Sequence, residues 1–279
     1  MQSYNEGVKK LPMLLAAYLL ALKPKLSRKE RFAPYKKQYF AHRGLFNRED
    51  RPENSMAAYR AAVEAGYGIE MDVQLTSDGK AVLLHDKNLK RMTGVDRDLY
   101  TCTYEELRSM PLGNSKETIP LFEDVLKLVN GRVPLIIEIK PHGSVLATCR
   151  EAARLLKDYP GEYCIESFHP LAVFWYRLNH PEVLRGQLAS DFFREDTKVS
   201  LPVAVISSNL LTNLIIDPDF VAYNHEYADQ FSFKVCRALY HPVCIGYTFK
   251  SFSDLRRAAE TFDVKIFDSF IPDEKGKMI

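Results

Sequence analysis

The sequence predicts an α/β fold, a closed (β/α)8 barrel, and three observations carry that expectation. Short apolar runs rich in β-forming residues recur along the chain, most of them followed by a helical pattern. Nine such runs fit into 279 residues, a length that single α/β barrels commonly occupy. One connection, residues 76–80, is too short for a helical crossover, so the barrel is expected to be irregular near its second strand.

The predicted strands are residues 39–42, 69–75, 81–85, 135–139, 163–167, 184–188, 220–223, 243–248 and 264–267. Helical patterns cover residues 55–65, 121–129, 145–157, 170–179, 231–239 and 253–261, with Ser55, Ser144 and Ser253 as N-caps for three of them. Asp78-Gly79 is a hairpin signal, and a turn centred between the two would pair residue 72 with residue 85, setting His85 beside Asp72. Residues 87–120 lack a barrel strand and predict a small inserted subdomain with a short helix from Thr103 to Leu107. Residues 190–218 are long for a structureless loop and are expected to be functional or to hold structure of their own. The division that follows is an N-terminal helical segment over 1–36 and the barrel over 37–279.

Composition narrows the partners. With 46% hydrophobic and 27% charged residues, the chain can bury a sizeable core. A formal net charge of +2 and the lack of any long basic block argue against nucleic acid. The cysteines, Cys102, Cys149, Cys164, Cys236 and Cys244, form no Cys-x-x-Cys pair, which favours reduced thiols in a cytoplasmic setting. Between Leu11 and Leu22 the chain is apolar apart from Pro12 and Tyr18, but twelve helical residues rise only about 18 Å. A membrane core of about 30 Å needs more. Two readings of this run stand: a helix packed on the barrel, or an amphipathic helix at a membrane surface with Lys9, Lys10, Lys23 and Lys25 towards anionic headgroups. In the second, the run joins the apolar stretch from Leu201 to Ile216 in a peripheral membrane contact.

The chemistry gathers at strand ends. His42 and His85 close two predicted strands, where the catalytic groups of such barrels collect. Glu70 and Asp72 lie two apart on one strand, so both point the same way. Glu138 repeats the pattern of one acid inside an apolar strand. Buried like charges are costly unless a cation balances them, and three carboxylates suit a hard divalent ion such as Mg²⁺ or Ca²⁺. The alternative for Glu138 is a salt bridge to Arg43 or Lys140. Two histidines supply a base and an acid, and Arg43 and Lys140 offer positive charge for a phosphate.

His42-Arg43-Gly44, Pro52-Glu53-Asn54-Ser55, Glu70-Met71-Asp72-Val73, Asp78-Gly79, His85-Asp86 and Glu138-Ile139-Lys140 together resemble the glycerophosphodiester phosphodiesterase family, as does Ser167-Phe168-His169-Pro170. The resemblance implies a TIM-type barrel with an insertion after the His-Asp strand. It implies His42 and His85 as the acid/base pair, Glu70, Asp72 and Glu138 as ligands of a divalent metal ion, and Arg43 and Lys140 as phosphate contacts. Glu53 lies near the site in such proteins, either as part of it or as a structural acid before the Ser55 helix. The implied reaction cleaves a glycerophosphodiester, a small-molecule substrate, into glycerol 3-phosphate and an alcohol. Gly246-Tyr247-Thr248 stands where the family often has Trp-Thr, so Tyr247 becomes a substrate-binding candidate with a smaller ring and a hydroxyl. His169 reads as a loop residue.

Other functions compete. A lysophospholipase D at the membrane surface uses the same chemistry with the two apolar segments as its motive. A barrel retained as a catalytically silent scaffold is disfavoured because all five histidines and carboxylates are present. A sugar or amide hydrolase explains His42-Arg43 and His85 less well.

Overall fold

A computed structural model describes residues 2–47, 49–140, 142–195 and 199–272, with backbone alone over residues 2–10. Nine strands form among them: β1 (Tyr39–Ala41), β2 (Gly68–Leu75), β3 (Ala81–Leu83), β4 (Leu135–Ile139), β5 (Tyr163–Ser167), β6 (Leu184–Ala189), β7 (Phe220–Asn224), β8 (Val243–Phe249) and β9 (Val264–Phe267). Eight of them pair in parallel in the order β1-β9-β8-β7-β6-β5-β4-β2, and pairing of β1 with β2 closes the barrel. β3 is the ninth strand, antiparallel to β2 and outside the closed ring.

The predicted hairpin register is off by one. Val73 opposes Leu83 and Leu75 opposes Ala81, so Asp72 lies across from Leu84, whose N–H it accepts at 3.1 Å, rather than from His85. The cause is a three-residue loop. Thr76 and Lys80 close it, and Gly79 takes the left-handed conformation (φ 76°) that ends such a turn. His85 therefore comes one residue later than the register placed it, past the end of β3, on the turn that leads out of the strand.

Strand periodicity sets which side chains enter the barrel. Met71 and Val73 on β2, and Ile137 and Ile139 on β4, belong to the layer between sheet and helices. Phe40, Ile136, Leu184, Phe220, Ile245 and Ile266 fill the interior. Gly186 on β6 is required there, because a Cβ at that position would stand 2.1 Å from the Phe220 ring. Phe32 and Tyr35, fully buried ahead of β1, join the same interior cluster, Tyr35 stacked on Phe40 at 5.8 Å. Beside them Arg28 pairs with Asp219, the residue before β7. The segment before β1 thus closes the end of the barrel opposite the site.

Ser55 and Ser144 cap their helices as expected, but Ser251, not Ser253, caps the helix Phe252–Arg257, which begins one residue earlier than predicted and is shorter. His169 is the N-cap of the helix Pro170–Asn179. Val82, Leu84, Leu89, Leu99, Cys102, Leu107, Leu112 and Ile119 form a separate buried cluster under residues 87–120, where Thr103 and Glu106 cap the helix Tyr104–Leu107 reciprocally. The stretch after β6 holds the helices Leu201–Ser208 and Asn213–Ile216.

The N-terminal helix spans Gln2–Ala21, longer than its apolar run. Lys9 and Lys10 lie outside the residues whose side chains are described. Its last turns dock on the barrel's outer helices, with Tyr18 Oη 2.7 Å from Ser232 Oγ and Leu19 O accepting from Tyr240 Oη at 2.6 Å. Further back, Leu11, Met13, Leu14 and Leu15 remain more than half exposed. Among the described residues no helix is long and apolar enough to cross a membrane.

Candidate active site

Parallel pairing aligns Asp72 on β2 with Glu138 on β4, and Glu138 with Glu166 on β5. Three acids thus stand side by side at the same barrel height, and Glu70 lies one inward position below Asp72. Oxygens of Glu70, Asp72 and Glu138 all lie within 4.8 Å of one another, and all three residues are buried. Asp72 Oδ1 and Glu138 Oε1 are buried and, among the described residues, have only the Lys140 ammonium close to them. An all-oxygen donor set of three converging carboxylates fits a hard divalent cation.

The salt-bridge alternative is also present in part. Lys140 Nζ lies 3.0 Å from Glu138 Oε1 and 3.2 Å from Asp72 Oδ1, and these acids push its pKa, despite burial, up to about 12. Burial alone would raise Asp72, but Lys140, His85 and Arg43 hold it well below the usual carboxylate range. Burial, together with Asp72 and Glu138, pushes Glu70 well up. Burial likewise raises Glu138 against the pull of Lys140. One lysine does not neutralise the group.

β1 ends at Ala41 and the chain turns sharply, with Arg43 at φ 57° and Gly44 at φ 81°. A Cβ at Gly44 would meet the Ala58 backbone at 2.9 Å. This turn aims the Arg43 N–H at Glu70 Oε2 (2.9 Å) and its guanidinium at Glu53 (2.7 Å) and Asp72 (3.4 Å). Glu53 also takes Arg91, at 2.6 and 2.9 Å, so it holds two guanidinium groups rather than merely preceding a helix. Asn54, φ 56°, donates to Asp72 Oδ2 at 2.8 Å.

Each predicted catalytic histidine carries an aspartate on Nδ1. His42 Nδ1 lies 3.0 Å from Asp268 Oδ2, leaving Nε2 3.9 Å from Glu70 Oε2. His85 Nδ1 lies 2.8 Å from Asp86 Oδ1, and Arg91 grips the same carboxylate. Burial lowers the His42 pKa even with Asp268 beside it.

His42, Arg43, Glu70, His85 and Glu138 line one pocket of about 230 Å³ together with Glu166, Phe168, Leu188, Glu195, Tyr247 and Thr248. Six of the eight predicted site residues line this opening, and the other two, Asp72 and Lys140, lie against Glu138. The Tyr247 hydroxyl is occupied as a donor to Ala189 O (2.7 Å), so the residue presents mainly its ring. Sequence reasoning missed Glu166, Glu195, Arg91 and Asp268 as members. Glu166 carried a legible signal, an acid in an apolar strand as at Glu138; Glu195 sits in an irregular segment and Arg91 on the short helix Lys90–Thr93, and neither carried one.

A parallel eight-stranded α/β barrel with acids and histidines at the carboxyl ends of its strands is a TIM-type barrel with an enzyme-like site. Residues 42–173 of the chain match the model of the Glycerophosphoryl diester phosphodiesterase family. It is 41% identical over 113 residues to the glycerophosphodiester phosphodiesterase of Bacillus altitudinis, covering 38% of this chain and 45% of that protein. To the human lysophospholipase D GDPD1 it is 29% identical over 163 residues, 54% of this chain and 50% of the other. The chain spans about half the length of the curated relatives it matches. A structure of an Oleispira antarctica phosphodiesterase, in complex with the product sn-glycerol-3-phosphate, shares the fold at a TM-score of 0.66 and 23% identity, covering 83% of this chain and 93% of that one.

Proposed function

We propose that this protein hydrolyses glycerophosphodiesters to glycerol 3-phosphate and an alcohol, using a divalent metal ion and two histidines. The observation that carries the reading is the meeting, at one pocket, of two aspartate-held histidines with a buried triad of carboxylates whose oxygens converge within 4.8 Å and share a single lysine. Glu70, Asp72 and Glu138 would hold the ion. When bound, Mg²⁺ or Ca²⁺ supplies a Lewis acid that polarises a phosphoryl oxygen and eases ionisation of the attacking hydroxyl. The chain's own groups do the rest. One histidine removes the proton of the attacking glycerol 2-hydroxyl and the other gives a proton to the departing alcohol; water then opens the resulting cyclic phosphate to glycerol 3-phosphate. The aspartates at Nδ1 fix each ring's orientation and favour the tautomer with Nε2 free for transfer. Arg43 and Lys140 hold the phosphate against the acids. The Tyr247 ring forms the far wall, where it orients an alcohol portion of the substrate.

A headgroup-release assay tests this reading on glycerophosphocholine, glycerophosphoethanolamine, glycerophosphoglycerol and a lysophospholipid, each with Mg²⁺, Ca²⁺ or EDTA. Release from at least one substrate, abolished by EDTA, is expected. No metal-dependent release from any of them would remove the proposal.

A second reading is favoured by one observation. Residues 199–216 contain no charged residue, residues 7–29 contain six basic and no acidic ones, and both stretches expose large apolar side chains, Leu201 and Leu14 among them. The stretches meet at one hub. There Ser232 Oγ contacts Tyr18 Oη and donates to Asn209 Oδ1, just after the helix Leu201–Ser208. We read them as a surface for anionic lipid, on which the same site would act as a lysophospholipase D. The protein is expected to co-sediment with vesicles containing anionic lipid, and Leu11→Glu with Leu14→Glu to release it. Equal recovery in the supernatant with and without vesicles would exclude the lipid contact.

A further inference from the structure

The two halves of the pocket differ in chemistry. The side built by β1, β2 and β4 carries Arg43, Lys140 and the clustered acids. The opposite side, from β5, β8 and the loop after β6, carries Phe168, Tyr247, Glu166 and Glu195. Phe168 and Tyr247 meet at right angles, with ring centroids 6.2 Å apart, and Phe192 supports Phe168 at 5.9 Å.

The two acids on this side have no basic partner among the described residues. Glu166 is 1% exposed and faces the pocket with Oε2 lacking any hydrogen bond, and it lies outside the set whose oxygens converge for a metal. Glu195 accepts from Ser190 Oγ and from Asn224 Nδ2 (2.8 Å) through a single oxygen, Oε1. Burial beside Glu138 and Asp72 pushes the Glu166 pKa well up, so the unpaired Glu195 is the carboxylate on this wall that opposes the approach of a phosphodiester anion. It becomes favourable when the substrate itself brings positive charge to that wall. Aromatic faces set beside acids complete a site for an ammonium group, which is drawn to the rings and the carboxylates together.

We propose that Glu166, Glu195, Phe168 and Tyr247 form a headgroup subsite selecting glycerophosphodiesters whose alcohol bears an ammonium group, of the choline or ethanolamine type. The inference rests on the phosphodiesterase reading and deepens it. Steady-state kinetics on glycerophosphocholine, glycerophosphoethanolamine and the uncharged-headgroup glycerophosphoglycerol test it in the unaltered protein, in Glu195→Gln and in Phe168→Leu. Glu195→Gln retains the acceptor for Ser190 and Asn224. The ratio of kcat/KM for glycerophosphocholine over glycerophosphoglycerol is expected to fall about tenfold in Glu195→Gln and about fivefold in Phe168→Leu, chiefly through KM. Because each ratio is measured on one preparation, partial misfolding cancels. An unchanged ratio in both variants, or an equal loss on all three substrates that assigns the wall to the shared glycerol arm, overturns the subsite. Absence of release from every substrate by the unaltered protein would instead overturn the phosphodiesterase reading.

Discussion

His42→Gln is expected to lower kcat by about 10²–10⁴-fold, the usual worth of a positioned acid or base, without loss of the folded state. The fold does not depend on the imidazole. The His42 backbone N–H closes the ladder to Phe267 O at 2.9 Å whatever the side chain, and the ring lies at the pocket rather than in the apolar interior. In the proposed mechanism the substitution removes a proton carrier, and in the structure it removes a ring whose Nδ1 is held by Asp268 at 3.0 Å and whose Nε2 faces Glu70. Asp268→Asn should reproduce a smaller part of the loss, about 10- to 100-fold, because the ring stays but its orientation and tautomer are no longer enforced. The check is kcat on the best substrate alongside the thermal midpoint. A His42→Gln protein with an unchanged midpoint and unchanged kcat would reduce the residue to a capping role.

Much of this site was legible because period-two alternation is a strong constraint. Glu70 and Asp72 had to share a face, and Glu138 in its apolar strand had to point inward, since the flanking Ile137 and Ile139 pack against the helices. The strand count was legible for the same reason, including the surplus strand that became β3. Register was less so. The Asp-Gly signal located the turn but not its length, and a third loop residue shifted the pairing by one, moving the partner of Asp72 from His85 to Leu84. Contacts made across long sequence separations were not legible at all. Glu53 with Arg91 joins residues 38 apart, and His42 with Asp268 joins residues 226 apart, so no local spacing announces either. The exposed half of the N-terminal helix shows a further limit, because an apolar run looks the same in sequence whether it packs on the barrel, as at Tyr18 and Leu22, or stays open, as at Leu14.

The row of acids implies a trade between stability and function that Glu70→Gln would expose. Lys140 reaches Asp72 and Glu138, whereas among the described residues the groups that donate towards Glu70 are the Arg43 N–H at 2.9 Å and His42 Nε2 at 3.9 Å. Its burial beside two further carboxylates pushes its pKa well up, the mark of a charge the metal-free protein accommodates poorly. The amide is nearly the same shape and still accepts from Arg43, so in EDTA the variant should be as stable as the unaltered protein or melt a few degrees higher, about 2–4 °C for each 1 kcal/mol gained in a chain of this size. With Mg²⁺ or Ca²⁺ the order should reverse. Ligand binding raises the midpoint of the unaltered protein as ion concentration exceeds the dissociation constant. Glu70→Gln, lacking one of the three proposed ligands, should show little or no rise. Headgroup release should drop in parallel by about 10³-fold, the scale of losing a positioned electrostatic stabiliser. A structural acid predicts the opposite pair of results, a lower midpoint in EDTA with the metal response intact, so one melting series in the two buffers separates a ligand from a scaffold residue.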